Sequence, residues 1–167
     1  MGFLRAFVGF EGRIGRQTYL LCSLLLIALT IAVLVALIAT YGVDYGKTPE
    51  ETRVWTLWSL AIELVFLYPT LAITIKRLHD LDLSGWWSVV FWLPSALNYA
   101  STLTGLSGTA ESPAMLGTIL ELLDTGLVVI MWVALCIIPG SRAANRFGPS
   151  PFATPQLPIT ASGAPAA

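Results

Sequence analysis

Three short runs collect the residues of this chain best suited to chemistry. They are Gly12-Arg13-Ile14-Gly15-Arg16, then Lys76-Arg77-Leu78-His79-Asp80 with Ser84-Gly85-Trp86-Trp87 behind it, and Asn145-Arg146-Phe147-Gly148-Pro149-Ser150-Pro151. Arginine presents a planar fork of donors that matches phosphate or carboxylate oxygens. A histidine among arginines adds a neutral or cationic partner. Arg13, Arg16, Arg77, His79, Asp80, Asn145 and Arg146 are therefore the candidate anion or partner site. The same residues have a structural reading, in which they close and brace one end of a helix bundle. Arg77 and Asp80 stand three apart and can pair along a helix. Arg13 and Arg16 can reach lipid phosphates at a helix entry.

Other chemistries are poorly served. The chain has a single histidine, and His79 with Asp80 and Asp82 is too few ligands for a transition-metal centre. No metal and no cofactor is expected. Nucleophile-elbow, P-loop, HExxH and dinucleotide-glycine patterns are all missing from the sequence, so an enzyme is not expected. A lipid-modifying enzyme with His79 as general base is the third reading. Cys22 and Cys136 lie in apolar runs with no redox or zinc spacing and read as buried thiols.

A second set of reactive groups lies where charge is costly. Glu63, Glu121 and Asp124 fall inside long apolar stretches. An ionised group at mid-bilayer costs about 2.5–3.5 kcal/mol on insertion scales, so such groups face a bundle interior. Ser59, Glu63, Thr70, Thr74 and Arg77 share one face at about 100° per residue. Thr118, Glu121 and Thr125 share another, with Asp124 beside them. These acids could serve a transport path, or could simply hydrogen-bond to hydroxyls on neighbouring spans.

The elements that must position these groups follow from composition. Of 167 residues, 56% are hydrophobic and 11% charged, where a soluble domain carries about 25% charged. Mean hydropathy is +0.76. A helix needs about 20 mostly apolar residues to cross the hydrocarbon core. Four stretches qualify, at about 20–40, 54–75, 86–106 and 117–138. The third is the weakest, because its densely apolar part stops at residue 100. The first is too long for a signal-peptide core and is read as a retained helix.

The expectation is an all-α membrane protein with four transmembrane helices in residues 1–149 and a disordered, uncharged tail over 150–167. Orientation follows from the basic residues. With the N-terminus inside, Arg5, Arg13, Arg16, Lys76, Arg77, Arg142 and Arg146 lie in the cytoplasm and only Lys47 and Arg53 lie outside. Both termini are then cytoplasmic, and all three runs gather at that face. A net charge of −1 gives no reason to expect nucleic acid as a partner.

The arrangement resembles a known family. GR-x-x-R before the first span, RLHD-x-x-x-SGWW between the second and third, and Pro139-Gly140 followed by NRFGP-x-P are similar to the bacterial domain of unknown function 805 family. The resemblance covers about residues 8–151. It departs at Leu20, where an aromatic is often found, and in a longer stretch between Pro94 and Pro139. It implies a multi-pass protein of the bacterial inner membrane and leaves activity undefined. The leading expectation is a non-enzymatic bundle that binds a lipid headgroup, a membrane-protein partner or a second copy of itself at its cytoplasmic rim. The alternative is a small transporter or channel using the acids of spans two and four.

Overall fold

A computed structural model describes residues 3–42, 48–109 and 112–152. Most of the expected tail, 153–167, lies outside the described residues. Within them are four α-helices and no strand: α1 (Arg16–Tyr41), α2 (Pro49–Asp80), α3 (Val89–Leu103) and α4 (Met115–Ile137). Two 3-10 turns, Phe3–Phe7 and Gly85–Ser88, precede α1 and α3. Helices α1, α2 and α4 are long and apolar enough to cross a membrane. Each helix packs on its neighbours in a closed ring, α1 on α2 and α4, α3 on α2 and α4.

The helix ends explain where the apolar runs misplace the boundaries. Helix α2 begins at Pro49, ahead of the apolar stretch at 54, because Thr48-Pro49-Glu50-Glu51 is a capping box. The Thr48 hydroxyl accepts from the Glu51 amide and the Glu51 carboxylate accepts from the Thr48 amide, each at 3.2 Å. Proline at the first helical position loses no bond there. At its other end α2 runs past Ile75 through Lys76–Asp80 and stops in a Schellman turn. The amides of Asp82 and Leu83 return to the carbonyls of His79 and Leu78 at 3.1 and 2.9 Å. Asp82 takes the left-handed conformation usually left to glycine, with φ 60°.

The third apolar stretch, expected over 86–106, is shortened at both ends. Trp86 and Trp87 lie in the 3-10 turn. Helix α3 stops at Leu103 in a second Schellman turn, with Gly105 at φ 80° and the Leu106 amide on the Ser101 carbonyl at 2.9 Å. Fifteen residues make α3 about 22 Å long.

Burial is concentrated at one end. Ala6, Ile14, Tyr19, Cys22, Leu26, Ala72, Ile73, Leu78 and Leu135 form the buried apolar set. All lie in the N-terminal segment, the start of α1 or the last turns of α2 and α4. Elsewhere the helices show their apolar side chains outward: only 11% of the most apolar window of α1 and 6% of that of α4 is buried within the chain. That is the distribution expected when the solvent is lipid, which is as apolar as leucine and so drives no burial. Several threonines along the spans are satisfied within their own helix, as Thr30 on the Leu26 carbonyl and Thr40 on that of Ala36.

Stability should follow this gradient. Ile73→Ala, at a site 1% exposed, should cost about 2 kcal/mol or more. Val65→Ala, at a site 73% exposed, should stay within about 0.5 kcal/mol. Denaturant titration in mixed micelles checks the pair, and equal losses would contradict the gradient.

Candidate functional site

The three sequence runs meet at the buried end of the bundle, around one carboxylate. Asp80, in the last turn of α2, is fully buried and lies between Arg13 and Arg77. Its Oδ1 accepts from Arg13 Nε at 3.2 Å and Nη2 at 2.9 Å. Its Oδ2 accepts from Arg77 Nη1, the pair expected from their three-residue spacing.

The remaining donors are taken by backbone carbonyls. Arg13 Nη1 reaches Ala143 O at 2.9 Å and Gly148 O at 3.2 Å, and Nη2 reaches Ser141 O. With these, all five N–H groups of that guanidinium are engaged. Arg77 Nε donates to Leu135 O at 2.8 Å and its Nη2 to Ile138 O. Arg77 thus ties off carbonyls that the end of α4 leaves without helical partners.

The loop after α4 is shaped to accept this cluster. Pro139 stops the helix. A Cβ at Gly140 would overlap the Asp80 carboxylate, so only glycine lets the chain pass. The Ser141 amide then donates to the Asp80 carbonyl at 2.9 Å. Asn145–Gly148 forms a tight turn, with amide–carbonyl bonds in both directions at 3.1 and 3.0 Å. The Asn145 side chain pins the turn in two ways: its Oδ1 accepts from the Phe147 amide at 2.9 Å, and its Nδ2 donates to the His79 carbonyl at 2.8 Å.

That turn presents Phe147 flat against the His79 ring, with centroids 3.8 Å apart, and Arg146 over Phe147 at 4.7 Å. His79 Nδ1 is 3.3 Å from the Gly12 carbonyl. A carbonyl only accepts, so Nδ1 carries a proton, and in the neutral ring Nε2 is then an acceptor. Arg146 also holds Asp82 through an exposed pair at 3.3 Å.

Of the seven candidate residues, Arg13, Arg77, Asp80, Asn145 and His79 are thus brought into one network. Arg146 lies on its outer edge, and Arg16, the first residue of α1, is exposed and outside it. Sequence reasoning missed Lys76, which is 3% exposed and gathers the carbonyls of Arg5, Ala6 and Val8 at 2.6, 3.1 and 2.8 Å. It also missed the demand at Gly140. The Pro-Gly pair and the Lys-Arg doublet were the available signals, but neither says what it touches. Ser150 is buried and the Phe152 ring lies against Gly15, so the packed unit continues past Pro149.

The intramembrane acids divide. Glu63 and Tyr99 of α3 line a cavity of about 340 Å³ with Ser59, Thr70 and Thr30. Asp124 accepts from Ser95 Oγ at 2.7 Å. Glu121 is exposed on the outer surface of α4, as are Thr118 and Thr125. Among the described residues no three His, Cys, Asp or Glu side chains are placed to hold a metal ion.

Two neighbouring aspartates should respond in opposite ways. Asp80→Asn leaves two buried guanidiniums without a counter-charge and should cost about 3–5 kcal/mol. Asp82→Gly relieves a left-handed residue worth about 1–2 kcal/mol and loses only an exposed pair, so it should be neutral or stabilising. Thermal melting of the detergent-solubilised variants checks both.

A family model described as a protein of unknown function (DUF805) matches residues 7–149. The chain is 36% identical over 91 residues to the Inner membrane protein YhaH of Escherichia coli K12, covering 54% of this chain and 69% of that one. It is 34% identical over 94 residues to the Inner membrane protein YhaI of the same strain, covering 56% and 70%. It is 30% identical over 142 residues to the Uncharacterized protein YiiR, covering 83% of each chain. No solved structure matches. With motifs, helices and relatives in accord, this chain belongs to the DUF805 family of membrane proteins.

Proposed function

We propose that the chain is a four-span bundle of the inner membrane with both termini in the cytoplasm. In this reading it is non-enzymatic and binds anionic lipid headgroups at its cytoplasmic rim. The observation that carries it is the division of labour among the cations at the motif end. Arg13, Lys76 and Arg77 are buried and consumed inside the protein, whereas Arg5, Arg16, Arg142 and Arg146 are exposed. The acids at that end are Asp80, already spent, with Glu11 and Asp82. The exposed rim is therefore cationic and faces the anionic headgroups beside it. A membrane-protein partner or a second copy is the other occupant such a rim could take.

Parity supports the four crossings. Arg77 joins the C-terminal end of α2 to that of α4, so both helices finish at the motif end. Helix α3 must carry the chain back between them. With the preceding 3-10 turn it reaches about 30 Å, close to the hydrocarbon thickness. The excess of arginine and lysine at the motif end supports a cytoplasmic assignment for it. Against transport, Asp124 is paired with the Ser95 hydroxyl, Glu121 is exposed, and neither lines the cavity of Glu63.

Reporter fusions within Gly46–Glu51 and after Pro149 test the topology. A cytoplasmic signal from the first would overturn it. Each exposed arginine near an anionic surface contributes about 1 kcal/mol, so changing Arg5, Arg16, Arg142 and Arg146 together to Gln should lower phosphatidylglycerol retention roughly tenfold or more. Native mass spectrometry against phosphatidylcholine reads this, and unchanged retention would refute headgroup binding. Glu63→Gln should leave accumulation and rim binding unchanged, whereas a proton path would lose its carrier.

A further inference from the structure

A groove of about 630 Å³ opens between α2 and α3 at the motif end. Its long wall is Leu67, Leu71 and Ile75 of α2, and Trp92 and Val89 of α3 face them. Its polar groups, His79, Ser84 and Ser88, lie at one end only. From Leu67 to His79 the groove follows about 18 Å of helix, close to the depth of one hydrocarbon leaflet. An apolar body with a single polar mouth, one leaflet deep, is the outline of a membrane lipid.

The mouth adds charge and anchoring. Phe147 forms part of the lining and carries Arg146 over its ring. Arg146 is exposed and keeps donors beyond those on Asp82. Trp86, 82% exposed, is part of the lining, and an amphipathic ring in that position suits headgroup depth. Gly85 sets the shape: a Cβ there would press on Ile75 at 2.9 Å, so glycine lets the 3-10 turn close the polar end against α2.

We propose that this groove is a binding site for one anionic phospholipid, with an acyl chain along Leu67–Ile75 and the phosphate at the Ser84–Arg146 mouth. The proposal rests on the rim reading above and narrows it to one place and one occupant. The guanidinium donors that Arg146 does not spend on Asp82 fit a phosphate, and the cationic excess of the rim around the mouth selects an anionic headgroup over a zwitterionic one. The His79 Nε2 acceptor at the mouth can take a proton donor from the headgroup's glycerol or hydroxyl.

The test is native mass spectrometry of the full chain released from nanodiscs of equal phosphatidylglycerol and phosphatidylcholine. The wild type should keep one phosphatidylglycerol. Leu71→Trp or, from the opposite wall, Val89→Trp should fill the groove and cut retention by at least tenfold. Val65→Trp, on the lipid-facing side of α2, should keep it. Arg146→Gln should lower the preference for phosphatidylglycerol about fivefold without removing bound lipid. Melting curves identify any variant that fails to fold, and the two groove fillers stand in for one another.

Retention unchanged in both fillers overturns the groove site. If it then falls in Arg16→Gln, the rim reading survives without the groove. A wild type that keeps no lipid defeats both. A dimer mass in place of bound lipid, or lipid that binds only after removal of residues 153–167, would make a second copy or that segment the occupant and refute the proposal.

Discussion

Two buried guanidiniums share one buried carboxylate, and the shape of the motif end follows from satisfying all three. Removing such charges from water costs several kcal/mol per ion even after relaxation, so the arrangement persists only when every donor finds an acceptor. Asp80 has two oxygens and cannot serve both arginines alone. Carbonyls must make up the rest, and they come from the end of α4 and the loop behind it. Hence α2 must extend beyond the apolar region, α4 must stop at Pro139, and Gly140 must be bare. The N-terminal segment is held by the same logic, with Lys76 gathering its last carbonyls.

This polar closure replaces the apolar core that would hold a soluble bundle. Lipid offers no hydrophobic drive between helices, so packing and hydrogen bonds must supply association. The protein concentrates its buried apolar side chains and its buried ion pairs at one end. Trp132 Nε1 on Ser23 Oγ at 2.9 Å adds a tie beside the buried cluster, and Ser95 on Asp124 at 2.7 Å joins α3 to α4 further along. The groove between α2 and α3 opens at the motif end, and the cavity beside Glu63 lies further along the same two helices. Glu63 of α2 and Tyr99 of α3 face that cavity together, so two polar groups that lipid would leave unsatisfied share one interior space.

The arginine-rich runs therefore have two different uses that one-dimensional spacing blends together. Arg13 and Arg77 are interior struts, whereas Arg146 and Arg16 face outward and can meet a ligand. The NRFG turn links the two uses. Asn145 fastens it to the end of α2, and the adjacent Arg146 and Phe147 extend from that anchor to the groove mouth. A substitution at Asn145 should consequently disturb the packing of the turn and the proposed lipid site together, while one at Arg146 reaches only the proposed site.

Hydropathy is a property of consecutive residues, so the sequence by itself determined that long apolar helices exist and roughly where they lie. Local spacing also determined the Arg77–Asp80 pair, because three residues on a helix bring two side chains together wherever the helix sits. The ends were less legible. The capping box at Thr48 and Gly105 in its turn are local signals, yet only the packed structure decided that α2 outruns its apolar stretch and that α3 stops short. The carbonyls chosen by Arg13 and Lys76 were beyond sequence reasoning, since backbone acceptors are the same at every position. Which arginines are buried, and why Gly140 admits no side chain, depend on segments more than 50 residues apart meeting in space. Such long-range satisfaction of buried charge is a property of the tertiary structure alone.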